Sequence, residues 1–191
     1  MSLRFANERR LVPRILAIAC LLASASSSEG AVRLLESDGA RAIVEIVPEP
    51  ALVEPHEIDG RTYVRITVPN LGVTDAPGLP ELPAAAVRLA VPPNTVPRLR
   101  VLQEEWGPLQ GGAVRPAPRR IGVRDPLGPS QVVEREGPEE AVYRSRTVHP
   151  ETAFRLGEVM GIRHTRVVEL EYHAARAEVF ARGYRLLKRA I

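Results

Sequence analysis

Cysteine is almost absent from this 191-residue chain, in which Cys20 is the single one. A lone thiol excludes a disulfide framework and any metal site built from several cysteines. Aromatic residues are few, with three Phe, four Tyr and one Trp, so a surface that stacks nucleic acid bases is not expected. No apolar run reaches the roughly 18 residues that a membrane-spanning helix needs. Eighteen Pro and fourteen Gly argue against an all-helical protein, because both residues break helix interiors.

Lysine is also scarce, since Lys188 is the single one and arginine supplies the other positive charges. The formal net charge is +3, from 26 basic and 23 acidic residues. Residues 1–25 hold four Arg and one Glu, which leaves 22 basic and 22 acidic residues in the remainder. Because the excess positive charge lies in the N-terminal segment alone, a nucleic acid partner is not expected.

The first 25 residues have the three parts of a secretory signal peptide. Arginines between Arg4 and Arg14 precede a short apolar run, Ile15–Leu22, and Ala23-Ser24-Ala25 forms an A-x-A cleavage site. This order predicts export and cleavage after Ala25. Two alternatives are a buried N-terminal helix and a lipoprotein signal cut before Cys20, although Ala17-Ile18-Ala19 is a poor lipobox. Cleavage after Ala25 would remove the thiol, so the mature domain, residues 26–191, would have no cysteine nucleophile.

Short strands separated by turns dominate the mature chain. Ser37-Asp38-Gly39 and Asp59-Gly60 each lie between two apolar runs, which predicts two β-hairpins. Alternating apolar residues after Gly60, and again from Val168 to Tyr172, indicate strands with one buried face. Two further strand-like runs are Ala86–Val91 and Leu99–Leu102. The pattern predicts an all-β protein, an antiparallel sandwich or barrel.

Two segments are harder to interpret. Thirteen prolines between residues 69 and 138 exclude helix from most of that span. Residues 107–140 are read as a long Pro- and Arg-rich loop with one short strand, and loops of that length are usually functional or disordered. The tail, Ala174–Ala190, has the composition of a helix, but Gly183 interrupts it and Tyr184–Ile191 fits a strand.

No catalytic or phosphate-binding motif is present. None of the four histidines lies beside a G-x-S-x-G element, so a hydrolytic triad has no support: His56, His149, His164 and His173. Glu169, Glu171 and His173 would share one strand face, where a solvated polar surface is the default interpretation and a metal pair the alternative. There is no Gly-rich phosphate loop. We therefore expect no cofactor and no metal.

Four arginines cluster in the Pro-rich segment: Arg115, Arg119, Arg120 and Arg124. The default interpretation is a solubilising loop. The functional alternative is that one guanidinium enters an acidic pocket of a partner, where its planar fork pairs with a carboxylate.

The stretch Gly78-Leu79-Pro80-Glu81-Leu82-Pro83 resembles the Gly-x-Pro-x-Leu-Pro segment of the prodomains of gingipain-like cysteine endopeptidases. The spacing of later features is also similar, and the match runs from about Val32 to Ile191. The residues that carry it are Gly78, Pro80, Leu82, Pro83, Pro116 and Tyr172. His173-Ala174 departs from the Asn-Pro that follows this tyrosine in the family, which leaves the course of residues 173–183 open.

The resemblance implies a two-sheet, jelly-roll-like antiparallel β-sandwich. It also implies an N-terminal prodomain, exported to the cell surface or beyond, that inhibits a following caspase-like cysteine peptidase and assists its folding. In arginine-specific relatives an arginine after the proline segment enters the specificity pocket. Arg124 or Arg120, with Arg119 beside them, would be the counterparts here. The catalytic His and Cys of the family belong to the peptidase domain, so this chain is expected to hold no catalytic residues.

Other functions stay open at this point. The chain is expected to be either the front piece of a longer precursor or a free-standing relative of the prodomain. A free-standing secreted β-sandwich could serve in adhesion or as a diffusible inhibitor. A small secreted hydrolase is the remote alternative.

Overall fold

The structure is a computed structural model that describes residues 31–123 and 131–191. Within these ranges the chain is almost entirely β, with one short helix. The elements are β1 (Ala31–Ser37), β2 (Ala42–Val47), β3 (Leu52–Ile58), β4 (Arg61–Thr67), β5 (Gly72–Val73), β6 (Pro83–Ala90), β7 (Glu104–Trp106), β8 (Gln110–Gly111), β9 (Arg119–Val123), β10 (Gln131–Arg135), α1 (Glu140–Tyr143), β11 (Val148–His149), β12 (Phe154–Ile162), β13 (Thr165–His173), β14 (Ala175–Glu178) and β15 (Gly183–Ala190).

The predicted signal peptide and its cleavage site at Ala25 lie outside the described residues. Among the described residues, no helix is both long enough and apolar enough to cross a membrane.

All pairs of these strands are antiparallel. A seven-stranded sheet has the order β1-β2-β15-β14-β11, and β7 and β8 also pair with β15. A four-stranded sheet has the order β12-β13-β6-β5, while β3–β4 and β9–β10 are separate two-stranded ribbons. β15 therefore joins four other strands and is the centre of the larger sheet.

The two large sheets pack face to face over an apolar core. Ile46 and Leu187 reach this core from the seven-stranded sheet, and Leu170 and Tyr172 reach it from the four-stranded one. A second cluster joins β4 to the far end of the larger sheet: Ile66, Leu82, Val114, Ala175, Ala177, Val179 and Tyr184. The predicted all-β antiparallel sandwich is confirmed, although its strands form four hydrogen-bonded groups rather than two.

Both predicted hairpins are present, and their turns explain why. The Asp38 carboxylate accepts hydrogen bonds from the backbone N–H groups of Ala40 and Arg41, at 2.7 and 2.8 Å, which closes the β1–β2 turn. These bonds hold the pKa of Asp38 below its usual value. Asp59 and Gly60 both have positive φ angles, 49° and 73°, as a tight β3–β4 turn requires.

The prediction of a strand at Leu99–Leu102 is wrong. The strand begins later, at Glu104, and pairs with β15. The N–H groups of Leu102 and Gln103 both donate to the carbonyl of Ile191, so the chain joins the sheet only at this point. Three prolines between residues 92 and 97 hinder an earlier start.

The described parts of the predicted loop, residues 107–123 and 131–140, hold more than one short strand, because they contain β8, β9 and β10. The residues before β9 are buried and bonded as a strand would be. Arg115 donates its N–H to Val64, and Ala117 donates to Leu79. Pro116 and Pro118 occupy the alternate positions, whose N–H groups would point away from this edge, so the prolines remove no bond.

The tail forms strands rather than the helix that its composition favours. In β14 every second residue is buried, and these are Ala175 and Ala177. Packing of these alanines against the core therefore overrides their helix propensity. Gly183, at the start of β15, is required by space, since a Cβ there would lie 2.7 Å from the carbonyl oxygen of Gln110.

Candidate functional site

The β9–β10 ribbon carries the arginines that the sequence singled out. Its register runs from Arg119 opposite Arg135 to Val123 opposite Gln131. Arg119 and Arg120 are both exposed, and Arg120 Nε lies 3.1 Å from Glu134 Oε1 on the facing strand. Arg124 lies outside the described residues, in the segment 124–130 that links the two strands. The ribbon thus places two of the predicted arginines, Arg119 and Arg120, on its first strand.

Little of the described structure supports the ribbon from the side. Within the described ranges, β9 and β10 pair with each other and with no other strand. Val132 and Val133 on β10 are 69% and 40% exposed. A solitary two-stranded hairpin is marginally stable in water, so its order must come from the base on which it stands or from a partner that covers it.

Arg115 lies at that base and is not a surface charge. The side chain is buried, and its Nε and Nη2 donate to the two carboxylate oxygens of Glu81, the second at 2.7 Å. Its Nη1 lies 3.2 Å from Glu136 Oε1. The hydrogen bond to Glu81 raises the pKa of Arg115. Arg115 is therefore committed inside the protein and is not available to enter a partner's pocket.

The Glu136 carboxylate extends this chain of contacts to a third element. Its Oε2 lies 2.9 Å from Nε2 of His56 on β3. Glu81, Arg115, Glu136 and His56 therefore form a continuous polar network beneath the ribbon, with one end buried in the core and the other partly exposed.

The Gly-Leu-Pro-Glu-Leu-Pro motif holds both ends of the ribbon by backbone bonds. Gly78 N–H donates to the carbonyl of Ala117, and Gly78 O accepts from Glu139 N–H, both at 2.9 Å. Leu79 O accepts from Ala117 N–H at 2.7 Å, and Glu81 N–H donates to Arg115 O at 2.9 Å. Residues before β9 and after β10 are thus attached to one short segment.

The residue types of the motif follow from this arrangement. Gly78 has a φ of +80°, and a Cβ there would lie 3.1 Å from the backbone nitrogen of Glu139. Leu82 has no exposed surface, and Pro80, Pro83 and Pro116 are also fully buried. Pro80 faces Pro116 across an isolated antiparallel bridge. Tyr172, the remaining motif residue, lies in the sandwich core between the large sheets, where burial raises its pKa.

A pair of tyrosines completes the base. Tyr143 at the end of α1 donates its hydroxyl to the carbonyl of Val114 at 2.7 Å. Its ring meets that of Tyr63 edge-on, with 6.3 Å between the ring centres. Burial raises the pKa of the Tyr143 hydroxyl, which stays a neutral donor at physiological pH.

The other candidate residues from the sequence, which are histidines and strand glutamates, lie on elements outside the β9–β10 ribbon. His164 lies in the exposed β12–β13 turn, and His149 lies on β11. Glu169 pairs with Arg88, and Glu171 pairs with Arg155, so these carboxylates belong to a salt-bridged strand face. His173 Nδ1 lies 3.4 Å from the carbonyl of Ala153. In the part of the chain that the structure describes, no three His, Cys, Asp or Glu side chains converge as a metal site.

A crevice in the described structure is separate from the ribbon. It has a volume of about 630 Å³ and opens between the two large sheets, where Val44, Leu89 and Leu156 are among its lining residues. Among the described residues, Arg119, Arg120 and the members of the polar network do not line it. The arrangement of charges at the ribbon, rather than a pocket, is the candidate site.

The sequence did not point to Glu81, Glu136 or His56 as parts of this site. Glu81 and Arg115 are 34 residues apart, and His56 and Glu136 are 80 apart. The available signal was a glutamate set between buried prolines and leucines, since a charge there needs an opposite charge.

No protein-family model matches the chain, and no curated protein matches it by sequence. Its fold is similar to a chain of the complex of Porphyromonas gingivalis RgpB pro- and mature domains. The TM-score is 0.69 at 14% identity, over 83% of this chain and 81% of that chain. It is also similar to a chain of a structure described as giving insight into the zymogenic latency of gingipain K from the same organism. There the TM-score is 0.57 at 16% identity, over 77% and 83% of the two chains. The chain has a gingipain-prodomain-like fold, as its motif predicts.

Proposed function

We propose that this chain is the prodomain of an exported, gingipain-like cysteine peptidase and that it keeps the peptidase latent. Its partner is the catalytic domain of that peptidase, bound within one precursor or as a separate chain. The observation that carries the proposal is an arginine-bearing ribbon that stands on a rigid, buried base in a prodomain-like fold. Residues 1–25 would direct export and be removed after Ala25.

Inhibition of this kind needs no chemistry from the chain itself. A loop whose ends are fixed by a folded domain loses less conformational freedom on binding than a free peptide does. An arginine of this loop brings a planar fork that suits an acidic specificity pocket. Arg124 is the first candidate, because Arg119 and Arg120 lie in the two pairs of the ribbon next to its base. The scaffold also supplies a folded surface beside which the peptidase domain can fold.

The test is inhibition of a caspase-fold cysteine peptidase by the full chain. The panel consists of any such peptidase encoded in frame with the chain or beside it, the RgpB mature domain and gingipain K. We expect inhibition of the peptidase encoded with it at micromolar concentration or below. Arg124→Ala should weaken inhibition by about tenfold or more, since a hydrogen-bonded charge contributes that much.

Arg119→Ala is the matched control, because it removes an arginine five residues away on the same ribbon. It should leave inhibition within about twofold of the unmodified chain, as expected for a rim charge. Absence of inhibition of the peptidase encoded with the chain would refute the proposal. Equal effects of the two substitutions would refute the role of Arg124.

A further inference from the structure

The ribbon is anchored at a point where both of its ends meet. Arg115 lies four residues before β9, and Glu136 directly follows β10. The Arg115 Nη1 to Glu136 Oε1 contact at 3.2 Å therefore bridges the two ends of the ribbon just below its last backbone pair, Arg119 with Arg135. Among the described residues it is the side-chain ion pair that joins the two ends at this level.

The buried Glu81 fixes the orientation of the Arg115 guanidinium. Glu81 takes two nitrogens of the Arg115 guanidinium, and both side chains are buried. Because the guanidinium is planar and rigid, holding two of its nitrogens also fixes where the third one points. Glu81 thus orients Arg115, and Arg115 in turn positions Glu136.

Glu136 is the adjustable member of the network. Its side chain and that of His56 are each 29% exposed, compared with 7% for Arg115. Its two oxygens are held by different elements, one by Arg115 and the other by His56 on β3. Loss of Glu136 would leave the buried Arg115–Glu81 pair intact, so the core need not change while the end of β10 is released.

From these contacts we infer that Arg115 and Glu136 are positioning residues, which hold β9 and β10 in the orientation that binding of a partner needs. The inference rests on the proposed function for what the ribbon binds, but the order of the ribbon is measurable without a peptidase. A free hairpin must be ordered on binding, whereas a clamped one is ordered beforehand. The polar network thus attaches the β9–β10 ribbon to the buried Arg115–Glu81 pair, and this attachment keeps the ribbon ordered.

Hydrogen–deuterium exchange of the full chain with Glu136→Ala tests the inference, with Glu134→Ala as the matched control. Glu134 is a glutamate on the same strand, but its partner is the exposed Arg120. Glu136→Ala should speed exchange in β9 and β10 about tenfold, the size expected for a lost charged hydrogen bond, while β12 and β13 keep their rates. Trypsin should cleave at Arg119 and Arg120 correspondingly faster. Glu134→Ala should change β9 and β10 by less than about threefold, since exposed pairs contribute little.

Glu136→Gln is the rescue variant, because its amide oxygen accepts from Arg115 and its NH₂ reaches His56. It should restore most of the protection. If Glu136→Ala accelerates exchange in every strand, His56→Ala is measured in its place. This substitution removes one of the two side chains that hold the Glu136 carboxylate, and it should speed exchange in β9 and β10 alone. Unchanged exchange in β9 and β10, or a loss no greater than that with Glu134→Ala, would overturn the inference.

Inhibition measurements on the same variants separate this inference from the proposed function. We expect Glu136→Ala to inhibit about tenfold more weakly than the unmodified chain. If the ribbon loosens but even the unmodified chain fails to inhibit, the proposed function fails and the clamp stands. If the unmodified chain inhibits and Glu136→Ala inhibits equally well, the positioning role is wrong.

Discussion

Gly78 shows how one residue can serve the whole candidate site. Its backbone bonds reach residues on both sides of the ribbon, and its positive φ and close neighbours leave no room for a side chain. The motif is therefore a structural requirement of the base, and its glycine cannot be replaced without moving Glu139.

We expect Gly78→Ala to destabilise the chain by about 1–3 kcal/mol, the usual cost of a strained backbone position. Urea unfolding measures this change. Gly39→Ala is the control, because no atom lies within 4 Å of a Cβ placed there, and its effect should stay within about 0.5 kcal/mol. Equal effects of the two substitutions would contradict the role of Gly78.

Two histidines give the fold a dependence on pH. Burial lowers the pKa of His149 and of His173, and the nearby His173 lowers that of His149 further. The unfolded chain takes up these protons near pH 6.5, whereas the folded chain does so only at lower pH. Below about pH 6.5 the unfolded state therefore binds more protons, and stability falls as the pH decreases towards the folded pKa values.

The midpoint of urea unfolding should accordingly be lower at pH 5 than at pH 7. The double variant His149→Gln, His173→Gln should lose part of this difference. His164→Gln is the control, since this histidine is exposed in a turn. A pH dependence that the double variant leaves unchanged would show that other groups are responsible.

At the scale of elements, the ribbon and the sandwich are distinct. β9 and β10 share backbone bonds with each other, and the ends of the ribbon lie side by side at Arg119 and Arg135. The register there allows the chain to be closed directly across the base. The element that carries the candidate function thus shares no strand pairing with the rest of the described structure.

Replacement of residues 119–135 by Asn-Gly should leave the sandwich folded, since this dipeptide closes tight hairpin turns. Exchange protection in β12, β13 and β15 should persist, and inhibition should be lost. Circular dichroism and the inhibition assay together check both outcomes. Collapse of the fold would mean that the ribbon stabilises the domain, and retained inhibition would place the site elsewhere.

The sequence predicts a structural feature well where neighbouring residues determine it, and poorly where residues distant in the chain do. The turns at Asp38-Gly39 and Asp59-Gly60 arise from neighbouring residues, and both were found. The tail was ambiguous because Ala175 and Ala177 favour helix in isolation, and only their packing in the core decides for a strand. The sequence predicts a loop at residues 114–117, because the prolines there mask a strand-like edge. The Glu81–Arg115 pair links distant positions, which no spacing rule reveals.

At the scale of the whole molecule, β15 joins the parts. It pairs with β14, β7, β8 and β2, and Leu187 and Ala190 bury their side chains between the large sheets. Arg189 adds a bond to the buried Glu45 on β2, whose carboxylate also holds Arg33 of β1. The larger sheet therefore depends on this one strand.

Removal of residues 183–191 should prevent folding, although this segment is shorter than residues 119–135, whose replacement should leave the sandwich folded. The missing strand would leave β7 and β8 without a strand partner, separate β2 from β14 and open the core. Far-ultraviolet circular dichroism and exchange measurements should show an unfolded chain. Native-like protection in β12 and β13 after this truncation would show that the four-stranded sheet folds by itself.

The position of β15 also sets the order of events in time. Glu45 and Arg189 are 144 residues apart in the chain, so β1 and β2 emerge from the ribosome long before the strand that completes their sheet. Pairings this remote in sequence form slowly. During synthesis β1 and β2 can therefore pair with each other, but they lack the strand that completes their sheet. The sandwich closes only after residues 183–190 have been made, so a nascent chain that is shorter than this has an open core.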